Sequence, residues 1–373
     1  MPKIRIREKD HTASSILSAD TNTVFLTDSK ASEKPVLLTD GSDVSSYANA
    51  SIISSIINLG GQVVVAKSYT AASDYLKDRN QFDIKFLLAK EDEIETNKNN
   101  KEDEIETNNK TTLELALDIA SSRRDCVVVY WKTTNSYTDA EKTLLDQAVG
   151  GDSFLSKETG KRGKYCLPFY AESLKDTSGK TAQEFSSAVS YILAFLNSIK
   201  NGNAEWLAVA GSKRGSIPST TLTVEFMTES QIDEMQPRDE GRSINPIVNM
   251  NPWGIRIWGN RTAETIVSNK GLQASHFANL RILICDIKKR LYKAARQYQF
   301  EQNNDVLWVN FTSTVNELLE EMEKSYGIAG YRWIREETGE KAKLSAILKI
   351  IPVEPVEDFD LTIDLTDSLE ISE

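Results

Sequence analysis

Few residues of this chain have the types and the spacing that catalysis needs. The two histidines are His11 and His276, and neither has a partner residue at a spacing that indicates a catalytic pair. We therefore favour a structural role for both histidines. Cys126, Cys166 and Cys285 are odd in number and far apart, which indicates neither a metal site nor a disulfide framework. Their pattern favours a reducing compartment.

The segment GSKRG, from Gly211 to Gly215, is the best candidate for a ligand site. Its basic pair between glycines could bind an anion through backbone N–H groups. We favour a loop with a structural Arg214, because Ile217-Pro218 follows it rather than a helix start. The sequence contains no GxGxxG, GxxxxGK[ST] or GxSxG motif. An α/β enzyme or an anion-binding protein that uses this loop stays open as the alternative function.

Composition excludes some other classes of protein. The net charge of −11 and the pI near 5.0 argue against a general nucleic-acid binder. The residues after Met1 lack the apolar segment of a signal peptide. No apolar run approaches the about 20 residues that a membrane helix needs. We expect a protein that folds in a cytoplasm, without membrane insertion and without direct contact to nucleic acid.

The hydrophobic pattern of residues 23–204 predicts an α/β fold. Apolar runs typical of strands alternate with amphipathic segments typical of helices, which indicates a layered sheet with partly parallel strands. Strands are predicted at 23–27, 35–39, 62–66, 82–88, 126–131 and 165–170, and helices at 44–59, 112–121, 138–148 and 181–199.

The second half reads as a mixed α+β module. Residues 243–262 hold the strand-like run GIRIW between the turn residues Asn251-Pro252 and Asn260. Helices are predicted at 275–300 and at 310–324, the second capped by Thr312 or Ser313 and closed by glycines at 326–330. A strand is predicted at 342–352. The first helix has a basic face, which is either exposed to solvent or a partner surface; it consists of Lys288, Lys289, Arg290, Lys293 and Arg296.

An acidic repeat interrupts the α/β region. The sequence KEDEIETN occurs twice within residues 90–110. This stretch has too few apolar groups to bury a core, so we expect a solvated insertion. A calcium site is the weaker interpretation, because the glycine and the ligand alternation of a calcium loop are missing.

Both ends of the chain carry an isolated strand pattern. Ile4 and Ile6 alternate with the cations Lys3, Arg5 and Arg7 near the N-terminus, and Phe359, Leu361, Ile363 and Leu365 alternate with Asp360, Thr362 and Asp364 near the C-terminus. Such strands need a sheet edge to join. We hypothesise that the basic strand of one subunit lies near the acidic strand of another. Pairing within one chain is an equally good interpretation at this point.

Two motifs of the second half resemble a known family. The run INPIVNMNPWGIRIWGNRT and the upstream WLAVAGSKRG are similar to motifs of the contractile tail sheath proteins of bacteriophages and related injection particles. The later segment FEQNNDVLW resembles the end of a family helix. The resemblance covers residues from about 205 to the C-terminus, and the motif positions are Trp206, Gly211, Arg214, Gly215, Asn245, Pro246, Gly254, Trp258, Gly259, Arg261 and Thr262.

The resemblance implies a structural protein rather than an enzyme, with no cofactor and no metal. A sheath subunit polymerises as stacked hexameric rings around an inner tail tube, and its contraction drives the tube through a cell envelope. The implied partners are other copies of the chain, the tail tube protein, and baseplate and tail terminator proteins. The implied location is the tail of a virion or of a phage-tail-like particle, assembled in the cytoplasm of a bacterial host.

The resemblance also implies a domain organisation. Residues 1–22 and 354–373 are arms that add strands to neighbouring subunits, 23–204 form a variable outer domain with the insertion at 90–110, and 205–353 form the shared sheath domain. By its order along the chain, the helix at 316–324 is the candidate for the tube-facing element. Its residues in this role are Asn316, Glu317, Glu320, Glu321, Glu323 and Lys324.

Overall fold

The structure is a computed structural model that describes residues 22–90, 94–95, 110–131, 162–171, 175–176, 186–218, 222–224, 226–236, 243–264, 271–337 and 341–356. The two predicted terminal strands, the predicted helix at 138–148, His11 and most of the acidic repeat lie outside these residues.

The described residues alternate between strands and helices. The strands are β1 (Thr23–Thr27), β2 (Val36–Leu38), β3 (Gln62–Ala66), β4 (Ile84–Lys90), β5 (Ile94–Glu95), β6 (Lys110–Thr111), β7 (Val127–Trp131), β8 (Cys166–Tyr170), β9 (Lys175–Asp176), β10 (Leu222–Thr223), β11 (Asn245–Met250), β12 (Gly254–Ile257), β13 (Ile328–Glu336) and β14 (Ser345–Pro352). The helices are α1 (Ala50–Asn58), α2 (Tyr69–Lys77), α3 (Thr112–Arg123), α4 (Ser187–Lys200), α5 (Gly211–Arg214), α6 (Glu229–Met235), α7 (Ala278–Gln297) and α8 (Asp305–Lys324).

One large mixed sheet organises most of the chain. Its strand order is β12-β11-β8-β7-β4-β1-β3-β2. The strands from β11 to β3 run parallel, and β12 and β2 are antiparallel at the two edges. The predicted mixed α/β fold with partly parallel pairing is therefore confirmed. Strands from both sides of residue 204 belong to this one sheet.

Helices cover both faces of the large sheet. Side chains alternate between the faces of a strand, so neighbouring residues of β1 and β4 reach different helices. On one face α1 and α4 pack against the sheet, and the rings of Phe86 and Phe195 lie 5.0 Å apart. On the other face α2 and α3 pack, and the rings of Phe25 and Tyr69 lie 4.9 Å apart. Each sheet face thus has its own apolar core.

Helix α1 is shorter than the predicted helix at 44–59. The buried carboxylate of Asp28 accepts hydrogen bonds from the backbone N–H groups of Ala48, at 3.1 Å, and Asn49, at 2.7 Å. These bonds hold the preceding residues in a turn, so the helix begins at Ala50. A side chain 20 residues away therefore sets this boundary.

The sequence analysis missed α2, α6, β11 and β13. The apolar stripe of α2 is thin, because only Tyr69, Ala72 and Leu76 of its residues are buried. The glycines at 327 and 330 suggested a helix closure, whereas β13 begins at Ile328. The short alternation of Tyr331, Arg332 and Trp333 was the only local signal for this strand, and it is weak.

A second, smaller module follows the large sheet. Helices α7 and α8 and the antiparallel hairpin β13–β14 surround a separate apolar core. Helix α8 begins five residues earlier than predicted, and its cap is Asn304 rather than Thr312 or Ser313. The Asn304 Oδ1 accepts a hydrogen bond of 2.9 Å from the backbone N–H of Leu307. Thr312 lies inside the helix, where its hydroxyl donates to the carbonyl oxygen of Trp308.

The basic face of α7 is partly buried against the same chain. Lys289 is 4% exposed, and its Nζ lies 2.9 Å from the carboxylate of Asp83. Lys293 binds the other oxygen of this carboxylate at 2.6 Å. The interpretations of this face as solvent-exposed or as a partner surface are therefore wrong for Lys289, whereas Lys293 pairs with Asp83 and stays partly exposed. Both lysines attach α7 to the turn before β4.

Among the residues that the structure describes, no helix is long and apolar enough to cross a membrane.

Candidate assembly surface

The hairpin β13–β14 is a sheet with two open edges. Its strands pair in register from Gly330 opposite Ile351 to Glu336 opposite Ser345. Within the described residues no third strand joins it. Open strand edges carry unpaired N–H and C=O groups, which bind a further strand readily. The hairpin is therefore the strongest candidate for a contact with another chain.

The inner face of the hairpin is fixed to α8. The indole of Trp333 donates a hydrogen bond of 2.9 Å from Nε1 to the Oδ1 of Asn316. Its ring also lies 5.9 Å from that of Trp308 and 5.8 Å from that of Phe311, both edge to face. Asn316, predicted to face a tube, thus serves the hairpin–helix contact. The predicted residues Glu317, Glu320, Glu321, Glu323 and Lys324 are all exposed.

Trp206 joins this module to the rest of the chain. A Cβ on Gly327, at the start of the hairpin, would lie 2.8 Å from the Nε1 of Trp206, so the indole requires a glycine there. The carbonyl oxygen of Trp206 accepts a hydrogen bond of 3.0 Å from the Nδ2 of Asn279 in α7. The upstream motif WLAVAGSKRG, which we name the first motif, therefore contacts both the hairpin and the helix.

Asn245 binds three segments together at the edge of the large sheet. Its Nδ2 donates to the carbonyl oxygens of Pro168, at 2.9 Å, and Arg261, at 2.8 Å. Its Oδ1 accepts from the backbone N–H of Arg261 at 2.7 Å. The side chain is fully buried, and both ends of its amide are used. Asn245 thus fixes the path of the motif INPIVNMNPWGIRIWGNRT, which we name the second motif, beside β8.

Glycines in the motifs allow backbones to approach closely. A Cβ on Gly259 would lie 2.6 Å from the Oδ1 of Asn245, and one on Gly215 would lie 2.5 Å from the carbonyl oxygen of Ile257. The backbone N–H of Ile257 donates to the carbonyl oxygen of Gly215 at 2.9 Å. The two motifs, far apart in sequence, therefore contact each other through backbone atoms.

The segment GSKRG forms the single-turn helix α5 rather than a loop. The Nε of Arg214 donates a hydrogen bond of 2.8 Å to the carbonyl oxygen of Ala208. This contact gives Arg214 the structural role that the sequence favoured. Nothing in the described geometry specifically favours an anion at this helix.

The end of the second motif anchors α7. The backbone N–H of Thr262 donates to the carbonyl oxygen of His276 at 2.8 Å, and its Oγ1 donates to that of Ser275 at 2.8 Å. The Oδ1 of Asn260 accepts from the backbone N–H of Asn279 in the first turn of the helix. Arg261 is 2% exposed, and its guanidinium stacks 5.2 Å from the ring centroid of Phe277.

Three of the remaining motif residues lie in or against the large sheet. Pro246 pairs with Tyr170 where β11 meets β8, and Gly254 has a φ of +74° at the start of β12. Trp258 is partly buried against the core of the large sheet. The two motifs thus connect the edge of the large sheet, at β11 and β12, to the start of α7 and to the hairpin, and we name this region the inter-module joint.

The described histidine and the three cysteines are all buried. His276 is fully buried, its Nδ1 lies 3.0 Å from the backbone nitrogen of Gln273, and burial lowers its pKa. Burial raises the pKa of the Cys126 and Cys166 thiols to about 12, and it also raises that of Cys285. Within the described residues, no group of His, Cys, Asp and Glu side chains could hold a metal ion.

One buried polar contact had no signal in the sequence. The Nζ of Lys85, in β4, binds the Oδ1 of Asn22 at 2.7 Å and a carboxylate oxygen of Glu205 at 2.5 Å. Lys85 is 3% exposed, so both partners compensate a buried charge. The contact ties the residue before β1 to the residue before Trp206.

No protein-family model and no curated protein matches this sequence. Solved structures match it over almost the whole length. The chain is similar to a PVC sheath complex of an extracellular contractile injection system in its contracted state, with a TM-score of 0.66, 16% identity and coverage of 99% of this chain and 98% of that chain. It is also similar to a chain of the anti-feeding prophage (AFP) baseplate, with a TM-score of 0.62, 12% identity and coverage of 98% and 99%.

A crystal structure of a sheath tail protein from Desulfitobacterium hafniense is also similar, with a TM-score of 0.52, 9% identity and coverage of 94% of this chain and 100% of that chain. These similarities show that this chain has the fold of contractile injection and tail sheath proteins. The similarity extends over the first two hundred residues, where the sequence motifs give no signal.

Proposed function

We propose that this chain is the structural subunit of a contractile sheath. It polymerises as stacked hexameric rings around an inner tube, and contraction of the lattice drives the tube through a target envelope. The observation that carries the proposal is the similarity to sheath proteins, in which at least 92% of this chain and 98% of each neighbour are covered.

The hairpin supports assembly by strand addition. Each main-chain hydrogen bond to an open edge contributes about 1 kcal/mol net, so one added strand contributes several kcal/mol before ordering costs. We propose that the arms at 1–22 and 354–373 of neighbouring subunits supply these strands. Linked arms would allow rings to rotate and shorten without dissociating, and the work would come from different contacts in the two lattices.

The proposed partners follow from this role. They are other copies of the chain, a tube protein, and baseplate and tail terminator proteins, within a particle tail. The tube-facing role of residues 316–324 stays a prediction. It is compatible with the exposure of the acidic residues Glu317, Glu320 and Glu321.

Negative-stain electron microscopy of the purified chain tests the proposal. We expect long hollow tubes from the full chain and their loss from a variant that lacks residues 1–20. A control variant with residues 91–109 replaced by a short Gly-Ser linker should still form tubes, since a solvated insertion has no role in the lattice. A monodisperse globular monomer in all three samples would overturn the proposal.

A further inference from the structure

The outer face of the hairpin β13–β14 combines charge and apolar surface. Arg332 and Lys349 are directly opposite each other across the strands, and both are exposed. Like charges in this arrangement destabilise a strand pair. Neither cation forms an ion pair with a described residue. This outward face therefore carries two positive charges at its centre, and the carboxylate of Glu336, at the end of the same face, accepts a hydrogen bond from the hydroxyl of Ser345.

Isoleucines flank the two cations on the same face. Ile334 lies opposite Ile347, which is 43% exposed, and Ile351 is 64% exposed near the other end of β14. The opposite face holds Tyr331 and Trp333 against the module core, so alternation directs these isoleucines away from it. An exposed apolar strip with a positive centre fits a partner that is apolar and acidic.

Helix α8 presents a surface of this kind on the side away from the core. Val306 is 65% exposed and Val309 is 56% exposed near its start. The exposed Glu317 and Glu321 follow on the same side at helical spacing, and neither forms an ion pair with a described residue. We name this surface, from Val306 to Glu321, the acidic ridge.

The two surfaces match in length as well as in chemistry. The acidic ridge spans about 22 Å at 1.5 Å per residue. Strand β14, with eight residues, spans about 26 Å at 3.3 Å per residue. Both surfaces point away from the core that the hairpin and α8 share, so they cannot meet within one chain.

We propose that the outer face of the hairpin is a docking surface for the acidic ridge of a second copy of this chain. A contact between two different patches of identical chains is head-to-tail, and such contacts generate rings or helical filaments. The inference rests on the proposed function, because the formation of tubes is its readout. It deepens that function by naming both surfaces of one subunit contact. The ridge shares Glu317 and Glu321 with the predicted tube-facing residues, so a tube would compete with the second subunit for this surface.

Reversing the charge of each surface tests the contact. Variant A carries Glu317→Lys and Glu321→Lys, and variant B carries Arg332→Glu and Lys349→Glu. In variant A both surfaces are positive, and in variant B both are negative. Each variant alone should need at least about tenfold more protein than the wild type to form tubes, because like charges meet at every contact. A mixture of A and B should assemble within about threefold of the wild-type concentration, since opposite charges then meet between the two variants.

The control variant carries Lys34→Glu and Lys77→Glu, at two exposed sites outside both surfaces. It changes the net charge of the chain by the same amount as variant B. It should assemble like the wild type. All substituted side chains are exposed, and unchanged circular dichroism and thermal unfolding would show that the variants fold. Polymerisation is measured by sedimentation and electron microscopy without tube protein.

The outcomes separate this inference from the proposed function. If the wild type forms tubes and variants A and B do so equally well, the docking contact is wrong while the sheath function stands. If A and B fail alone and their mixture fails too, the docking contact is also wrong. If the wild type forms no polymer under any condition, the docking contact and the proposed function are both wrong.

Discussion

Gly259 occupies a position of the inter-module joint where no side chain fits. A Cβ there would lie 2.0 Å from the Nε2 of Gln236 and 2.8 Å from the Cα of Asn245. The Cα of Asn245 belongs to the backbone, which cannot rotate away from a new side chain. Backbone packing at this glycine therefore positions the second motif beside β11.

We expect Gly259→Ala to destabilise the chain by about 1 to 3 kcal/mol, because the added methyl group must displace backbone. Urea unfolding followed by circular dichroism measures the loss. Gly330→Ala is the matched control, since nothing lies within 4 Å of a Cβ at Gly330. Equal stabilities of the two variants would contradict the packing argument.

His276 couples the stability of the joint to pH. Burial lowers the pKa of this histidine below its ordinary value of 6.5. The unfolded chain then binds more protons than the folded chain between the two pKa values, so stability is full above about pH 6.5 and falls as the pH decreases below it.

We expect the free energy of unfolding to fall more steeply between about pH 7.5 and about pH 5.5 in the wild type than in His276→Gln. Glutamine keeps a hydrogen-bond acceptor and does not titrate. His11→Gln is the control with the only other histidine, and it should keep the wild-type slope. Parallel slopes for wild type and His276→Gln would contradict the expectation.

At the scale of elements, the start of α8 decides where the acidic ridge begins. The sequence analysis placed the cap at Thr312 or Ser313, which would exclude Val306 and Val309 from the helix. The structure extends the helix to Asp305, because Asn304 accepts a hydrogen bond from the N–H of Leu307.

We expect Asn304→Ala to cost about 1 kcal/mol of stability, since the first turn loses its side-chain acceptor. Ser313→Ala should be neutral or slightly stabilising, because an exposed alanine is favourable inside a helix. Chemical denaturation compares the two variants. A larger loss of stability for Ser313→Ala than for Asn304→Ala would support the later helix start.

At the scale of the whole molecule, the described residues form a large mixed sheet with its helices and a small module, which meet at the inter-module joint. The described part of the module leaves both hairpin edges unpaired. The arms that we propose for these edges have opposite charges, with Lys3, Arg5 and Arg7 at one end and Asp360 and Asp364 at the other. Pairing of the two arms within one chain and pairing between chains predict different results for charge-reversed variants.

A variant with Lys3, Arg5 and Arg7 changed to Glu has two acidic arms, and one with Asp360 and Asp364 changed to Lys has two basic arms. Each should form fewer tubes than the wild type by electron microscopy, because cross-strand opposite charges contribute about 0.2 to 1 kcal/mol per pair. Mixing the two variants should restore tubes if the arms pair between chains. Tubes that stay absent in the mixture would favour pairing within one chain.

The amino-acid sequence by itself determined the strands β1 and β3, the helical character of α3, α4 and α7 and the mixed α/β class. These segments carry strong local periodicity, which depends on the chain nearby. The motifs of the sequence also indicated the sheath family, but they did not show which contacts their residues make. The sequence could not reveal that Asn245, Gly259 and Trp206 form one joint.

Only the tertiary structure decided the features that depend on distant partners. Asp28 ends the turn before α1, Asp83 covers part of the basic face of α7, and Lys85 binds Glu205 across 120 residues. Strand β13 lacked a strong local signal and gained its identity from pairing with β14. A local pattern reports which face of an element is apolar, but the group that meets a given polar side chain is fixed by how the elements pack.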